Sequence, residues 1–485
     1  MPILTVRAED ETTEIFVVAT DFALLGRGAR RLEQDLRAGI YKVRAVSGRS
    51  EWQRVVVLRD DMVIEVPKIE FGSAAPLART NRTHESHMAA AEQAIPPDQR
   101  GATSAPTGAL SLGRGRQPSH DGSFVFMARW WTPWDDIGPK KLDDPSKGAR
   151  LSTGGGRRLL SLSSSESEGR HVRSTDAGRY IAPEAAWFSG DLSKDRYAGV
   201  SLNAEPGIYT LGLSDGEGMT EQTVTILPGW RTHVFALYEP PVDDGGEAWY
   251  GPRKRLVDVS IHIARGSLSM EDDLVRLTDA ARLSLADERS VATNELLKFV
   301  RGKFENPMLG LYGAHLLLLL RKKASAASIE RPVEYNGSLF QEVVGNTAQL
   351  FGNDHPDIIA LREIEAEAKP LTGLPMLSHS WARLLSASAD APKLIPPSLW
   401  RRTAFRSRTQ PFFTWRVPQY GGDRIMYREV ELIRAILDAA TEWEFYNKEA
   451  TGLRDRRATA AVRDDFVRDC IERFEAPRSV IDMVL

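Results

Sequence analysis

Cysteine is almost absent from this sequence: the single residue, Cys470, can form no internal disulfide and excludes a zinc site built from several cysteines of one chain. That usage fits a reducing compartment. Long apolar runs are also missing. The longest, near Ala314 to Leu320, is interrupted by His315 and ends in Arg321-Lys322-Lys323, well short of the roughly twenty residues a spanning helix needs. The N-terminus, MPILTVRAEDETTEIF, enters strand-like alternation with acidic residues and has neither the basic start nor the apolar centre of a signal peptide. A cytoplasmic protein without a membrane segment is therefore expected. No excess of one charge exists either: 63 basic and 66 acidic residues are interspersed, for a net charge of −3, which argues against a general nucleic-acid or membrane-surface binder and leaves only local patches. Catalytic signatures are lacking too, with no Gly-x-Ser-x-Gly elbow, no His-Glu-x-x-His helix, no Walker loop and no dinucleotide fingerprint after a strand.

What is present is a β phrase written twice, at Leu36 to Val66 and at Glu205 to Phe235. Gly39-Ile40-Tyr41 answers to Gly207-Ile208-Tyr209, Val43 and Ala45 to Leu211 and Leu213, and Gly48 to Gly216. With one extra residue in the second copy, Gln53-x-Val55-x-Val57-Leu58 aligns with Gln222-x-Val224-x-Ile226-Leu227. Alternating apolar residues broken by Gly or Asp predict a three-strand antiparallel meander in each copy, with the tyrosine in phase with the buried set. The phrase resembles the small prealbumin-like β-sandwich modules of the PEGA and carboxypeptidase-regulatory type. That resemblance covers about thirty residues per copy and implies a binding or spacer module with no catalytic residues of its own.

The expected organisation is two small antiparallel β-sandwich modules followed by an all-α domain. The first module occupies 1–72. A flexible linker rich in Ala, Ser, Pro and Gly follows over 73–122. The second module spans 123–257 and carries a long disordered insertion at 135–183, and the helical domain runs over 258–485. The linker holds His84 and His87, which a helix would place on one face, but no third ligand is near and no metal or cofactor is expected. The insertion includes Gly154-Gly155-Gly156-Arg157-Arg158, which lacks the lysine and hydroxyl residue of a phosphate loop.

Beyond Met270 the apolar period becomes helical. Helices are expected at 294–304 and at 307–323, the latter opened by Asn306 and Pro307 in cap and first-turn positions. Gly310 and Gly313 cost that helix stability and make most sense where another helix packs closely against them. A further pair, 339–351 and 356–368, is joined by Gly352-Asn353-Asp354-His355 as an αα-hairpin of slight tetratricopeptide-like character, with His355 a turn residue. Long helices resume at 423–449 and 454–474. In the last of these, helical spacing groups Cys470 with Phe466 and Val467 as a packed small residue.

The most pointed surface signal is WRRTAFRSRTQPFFTWR. Here Trp400, Arg401, Arg402, Arg406, Arg408, Trp415 and Arg416 interleave basic and aromatic groups, a pattern that suits an acidic protein face, a phosphorylated ligand or single-stranded nucleic acid. The competing reading is a connector whose aromatics pin it to the helices while its arginines meet acidic neighbours. At the level of function, a non-catalytic interaction or scaffold protein of a bacterial-type multi-protein system is expected. Its partners would be other proteins, and its exposed linkers would be open to regulatory proteolysis. The alternative is an enzyme of hydrolase type with a site assembled from His315, His379 and Asp354.

Overall fold

A computed structural model of the chain describes residues 1–9, 13–48, 50–69, 73–77, 90–91, 122–130, 145–146, 149–153, 158–161, 186–189, 197–215, 218–239, 254–265, 268, 273–288, 306–326, 337–403, 406–407, 411–417, 430–443 and 456–485. The histidine pair at 84 and 87, the expected helix at 294–304, Arg408, and most of the linker and of the insertion lie outside these residues. Sheets fill the N-terminal half and helices most of the C-terminal part, so the fold is mixed β plus α.

Seven strands form the first β unit: β1 (Ile3–Arg7), β2 (Glu14–Ala19), β3 (Leu24–Ala29), β4 (Arg31–Asp35), β5 (Gly39–Ser47), β6 (Ser50–Leu58) and β7 (Met62–Glu65). They make a three-stranded sheet in the order β4-β1-β7 and a four-stranded sheet in the order β3-β2-β5-β6. Leu4, Val6 and Ile64 from the first sheet and Ile15, Val17, Tyr41, Val43, Val56 and Leu58 from the second share one apolar cluster.

The second unit repeats this topology strand for strand. Its elements are β8 (Gly122–Trp130), β9 (Arg150–Thr153), β10 (Arg158–Ser161), β11 (Ala186–Ser189), β12 (Tyr197–Ala204), β13 (Gly207–Asp215), β14 (Gly218–Ile226), β15 (Arg231–Glu239) and β16 (Arg255–Ala264). The order β12-β8-β15 matches β4-β1-β7, down to one antiparallel and one parallel neighbour for the central strand. The order β10-β9-β13-β14 matches β3-β2-β5-β6. Three edges are then extended, by β11 beside β12, by β16 beside β15, and by β18 (Thr414–Val417) beside β14, with β17 (Arg406–Ser407) outermost.

These strands correct three expectations. The third run of each phrase does not continue a meander: β7 and β15 cross to the other sheet and pair in parallel with β1 and β8. The hairpins also have equal length, with Tyr41 opposite Val56 and Tyr209 opposite Val224, so no extra residue separates the copies. Val56 and Leu58 are therefore the buried pair, while Val55 is 65% and Val57 51% exposed. Four consecutive apolar residues carry no readable phase, and the neighbouring strand decides which pair turns inward. Finally, the stretch read as an insertion contains β9 and β10, which pair with each other, and β9 adds to β13.

One further detail is duplicated. Tyr41 Oη donates to the Arg37 carbonyl and Tyr209 Oη to the Glu205 carbonyl, each at 2.6 Å and each four residues upstream. Such a tyrosine corner ties the entry of a strand to its own core side chain. In both copies the tyrosine ring lies beside the glycine two residues earlier.

The helices are α1 (Asp273–Ala286), α2 (Pro307–Ala326), α3 (Gly337–Phe351), α4 (Pro356–Leu361), α5 (Ser378–Ala387), α6 (Pro397–Arg401), α7 (Arg456–Phe474) and α8 (Arg478–Val484), with helical residues also at 430–443. Asn306 caps α2 as its residue type predicts, its side chain accepting from the Met308 amide at 3.0 Å. Gly310 and Gly313 are buried in that helix. Gly352 ends α3 with φ of +90°, a conformation open to glycine at little cost. α4 is shorter than the expected 356–368, because Arg362 adopts extended backbone directly after Leu361.

The β and α parts are not separate bodies of core. Side chains of β8, β13, β14, β15 and β16 share one apolar cluster with Leu277 and Ala281 of α1, Leu311 and Tyr312 of α2, and Phe340 and Val343 of α3. A second cluster joins α5 to α8 around Trp381, Leu384, Trp400, Phe466, Cys470 and Ile481.

Candidate functional site

Two groups of side chains contain the residue types of hydrolytic chemistry, and both lie inside the protein. The first is strung along the polar half of β16, where Asp258, Ser260 and His262 alternate with core residues Val259, Ile261 and Ile263. α1 covers this face and supplies Asp279 and Arg282. Arg282 donates to both carboxylates, at 2.7 and 3.1 Å to Asp279 and at 2.9 Å twice to Asp258, and at 2.8 Å to the Val259 carbonyl. Burial alone would push the Asp279 carboxyl up, but Arg282, with help from His262, holds it well below the usual carboxylate range. The same burial would lower the Arg282 guanidinium, and the two aspartates reverse it. Across β15, Arg129 of β8 completes a balanced set of two guanidiniums and two carboxylates.

Ser260, His262 and Asp279 form a serine, histidine and aspartate set with its members in the wrong order for nucleophilic catalysis. Ser260 Oγ donates to Asp279 Oδ1 at 2.5 Å and lies 3.0 Å from His262 Nε2. A serine whose proton is already given to a carboxylate must accept from the imidazole. An activating histidine would sit between serine and aspartate and take the serine proton.

The second group links β14, α2, α4 and α5. His355, the N-cap of α4, accepts from the Asp357 amide through Nδ1 at 3.3 Å and meets Thr225 Oγ1 through Nε2 at 2.8 Å. Asp357 accepts from the amides of Met376 at 2.7 Å and Leu377 at 3.1 Å, and from Ser380. His315 Nε2 reaches Ser380 Oγ at 2.9 Å. Again serine is the middle member and donates to the carboxylate. Burial pushes the Asp357 carboxyl up to about 6, against those hydrogen bonds, and draws His355 down to about 3. Burial also lowers His315, helped by His379 and Arg383. Ser380 and Asp357 are fully buried, so no substrate reaches them without an opening of the fold.

Of the three enzyme candidates, the structure brings His315 and His379 together, with ring centroids 5.8 Å apart, and leaves Asp354 exposed on the turn before α4. The carboxylate linked to His315, through Ser380, is Asp357, three residues on. Sequence reasoning passed over Asp357, Ser380, Asp258 and Asp279. The His355-Pro356-Asp357 phrase at a helix start was the available signal for the first. Nothing in an alternating strand distinguishes a polar face sealed by a helix from one facing water. Among the described residues no group of three or more potential ligands forms a metal site. Cys470 is buried, and burial with Asp469 nearby pushes its thiol up to about 11, away from thiolate character.

The basic-aromatic segment is divided by the fold. Phe412 joins the first helical cluster, and Trp400, Phe413 and Trp415 join the second. Trp400 Nε1 donates to the Glu475 carbonyl at 3.3 Å, and Trp415 Nε1 to Glu221 at 2.9 Å. Arg402 donates to Thr210 Oγ1 at 3.1 Å and lies over the Trp415 ring, while Arg416 approaches Asp215 at 3.6 Å. Arg401 is exposed at the end of α6, and Arg406 takes part in β17 through its backbone. The indoles are thus packed, and what the segment offers to solvent is guanidinium.

No family model and no curated protein matches the chain. Similar solved structures include a candidate cell adhesion protein from Bacteroides fragilis, 9% identical over 54% of this chain and 88% of that one, with a TM-score of 0.13. Another candidate cell adhesion protein, from Bacteroides eggerthii, is 9% identical over 55% of this chain and 95% of that one, at 0.14. A leucine-rich repeat protein from Bacteroides thetaiotaomicron is 10% identical over 49% of this chain and 25% of that one, at 0.11. At these scores none of them bears on the fold or the activity of this chain. Among the described residues no helix is long and apolar enough to cross a membrane.

Proposed function

We propose that this chain is a non-catalytic interaction protein, in which two prealbumin-like β-sandwich modules carry a helical part for contact with other proteins of a cytoplasmic, bacterial-type assembly. The observation that supports this reading is the state of its reactive residue types. Both serine, histidine and aspartate sets are buried, run in an order that leaves the serine unactivated, and are used up in hydrogen bonds within the fold, the first between a strand and a helix and the second among helices. The repeated topology and the paired tyrosine corners support the module assignment. The contact surface is the guanidinium rim of Arg401, Arg402 and Arg416, which suits an acidic partner face. Cleavage between residues 92 and 121, or between residues 162 and 183, would regulate the assembly.

Affinity capture from an extract of the native host, with the wild-type chain beside a variant carrying Arg401→Glu and Arg416→Glu, tests the surface. A partner captured by the wild type and lost from the variant is expected, and equal capture overturns the assignment. A fluorophosphonate probe should leave the chain unlabelled. Labelling at Ser260 or Ser380 would restore the enzyme reading.

A further inference from the structure

The segment that leaves the first β unit does not hang free. Ser73–Leu77 lies on the outer face of the five-stranded sheet, and Ala74, Ala75 and Leu77 are fully buried in a cluster with Met127, Phe235, Leu237, Leu268, Val275 and Leu283. Its backbone is read by two buried charges that stand in one row across three strands, Arg129 of β8 and Asp258 of β16, with Leu237 of β15 between them. Arg129 donates to the carbonyls of Ser73, of Ala74 at 2.9 Å and of Ala75 at 3.3 Å. Asp258 accepts the Ala74 amide at 3.0 Å, and Ser73 Oγ accepts the Ala75 amide at 3.0 Å. Main-chain donors and acceptors are met from both sides, and Leu77 is buried in an apolar cluster. That is how a groove holds a bound peptide.

We infer that residues 73–77 are an intramolecular peptide ligand, and that the face formed by β8, β15, β16 and α1 is a receptor groove for a short, bent peptide of the pattern small-small-x-leucine. The consequence is specific. A cut in the chain downstream of Leu77 leaves the N-terminal β unit attached, because its anchor is the docked segment and not the covalent connection. The inference stands whether or not the chain contacts other proteins.

The test uses the full chain with a protease recognition sequence inserted at residue 105, cut to completion as judged on a denaturing gel, and then run on a native sizing column. The two fragments are expected to co-elute as one particle. Ala75→Glu, which places a charge in the groove while leaving the groove itself intact, is expected to weaken their association at least tenfold, so that the N-terminal fragment elutes separately. Arg129→Gln should act in the same direction. Should Arg129→Gln fail to fold, Ala75→Glu still decides, as does a synthetic peptide of residues 71–79 added in excess, which should displace the N-terminal fragment of the cut wild type. Separation of the wild-type fragments without any variant overturns the inference. So does co-elution that neither Ala75→Glu nor the peptide disturbs, since the attachment would then lie elsewhere, for instance at the Ser284 to Glu14 contact between α1 and β2.

Discussion

Replacing Arg282 by methionine should be among the most damaging single changes available to this chain. The guanidinium is fully buried and donates five hydrogen bonds, four of them to the carboxylates of Asp258 and Asp279. Methionine fills similar volume, so the cost lies in leaving those two carboxylates buried without their cation, about 3–5 kcal/mol. At a urea slope of about 2–3 kcal/mol/M, the unfolding midpoint should fall by about 1–2.5 M. The deficit has a pH signature. In the wild type Arg282 holds Asp279 below the ordinary carboxylate range, so this pair contributes stability at neutral pH that is lost as the medium becomes acid. In the variant Asp279 loses that support and protonates more readily, so the gap between variant and wild type should narrow on acidification. Adding Asp279→Asn to Arg282→Met should recover at least half of the loss, because one buried guanidinium, Arg129, then faces one buried carboxylate, Asp258. An unchanged midpoint for Arg282→Met, or a double variant as unstable as the single, would refute the reasoning.

Three other outcomes are expected. Val55→Lys and Val57→Lys should each shift stability by less than about 0.5 kcal/mol, whereas Leu58→Ala should cost about 2–5 kcal/mol; urea titration showing the reverse order would mean that the strand register is wrong. Tyr41→Phe and Tyr209→Phe should each cost about 1 kcal/mol through loss of the corner hydrogen bond, and a neutral result at either position would break the equivalence of the two units. Stability should fall as pH drops below about 6.5, since His233, His315 and His355 are all held below their usual range by burial and the unfolded chain binds protons that they refuse. Asp357, raised to about 6, opposes this by taking up a proton in the folded state first, but it is one group against three. His355→Asn keeps a capping acceptor and should flatten the slope between pH 6.5 and about 4; an undiminished slope in thermal melts would remove His355 from the account.

Much of the β architecture could be read from residue order, because glycine, tyrosine and alternating aliphatics act locally. The Gly-Ile-Tyr phrase located both hairpins, and Asn306-Pro307 marked the start of α2 correctly. Phase failed where four aliphatics stood in a row at Val55 to Leu58, since only the neighbouring strand decides which pair turns inward. The crossing of β7 and β15 was hidden because a third strand after a hairpin looks the same whether it continues the sheet or leaves it. β9 was hidden because Leu151 is its only large apolar side chain. The buried polar groups were the least legible. Asp258, Ser260 and His262 read as the wet side of a strand, and their burial depends on α1, which is specified by other residues entirely. In the segment at Trp400, alternating arginine and aromatic residues described both a ligand platform and a packed connector, and the contacts of Trp400 and Trp415 place those two indoles in the core.

The extension of the second unit by β18 has a consequence for how the chain is made. Every strand of the first sheet pair finds its partners within the first 66 residues, so that unit can close while the rest is still being synthesised. The second unit cannot. Gln222 on β14 waits for Thr414, and the edge of β14 stays bare until almost the whole polypeptide has left the ribosome. An uncapped nine-residue strand is an invitation to pair with the wrong chain. Truncations ending before residue 414 should therefore aggregate during expression, whatever the intrinsic stability of the strands they retain.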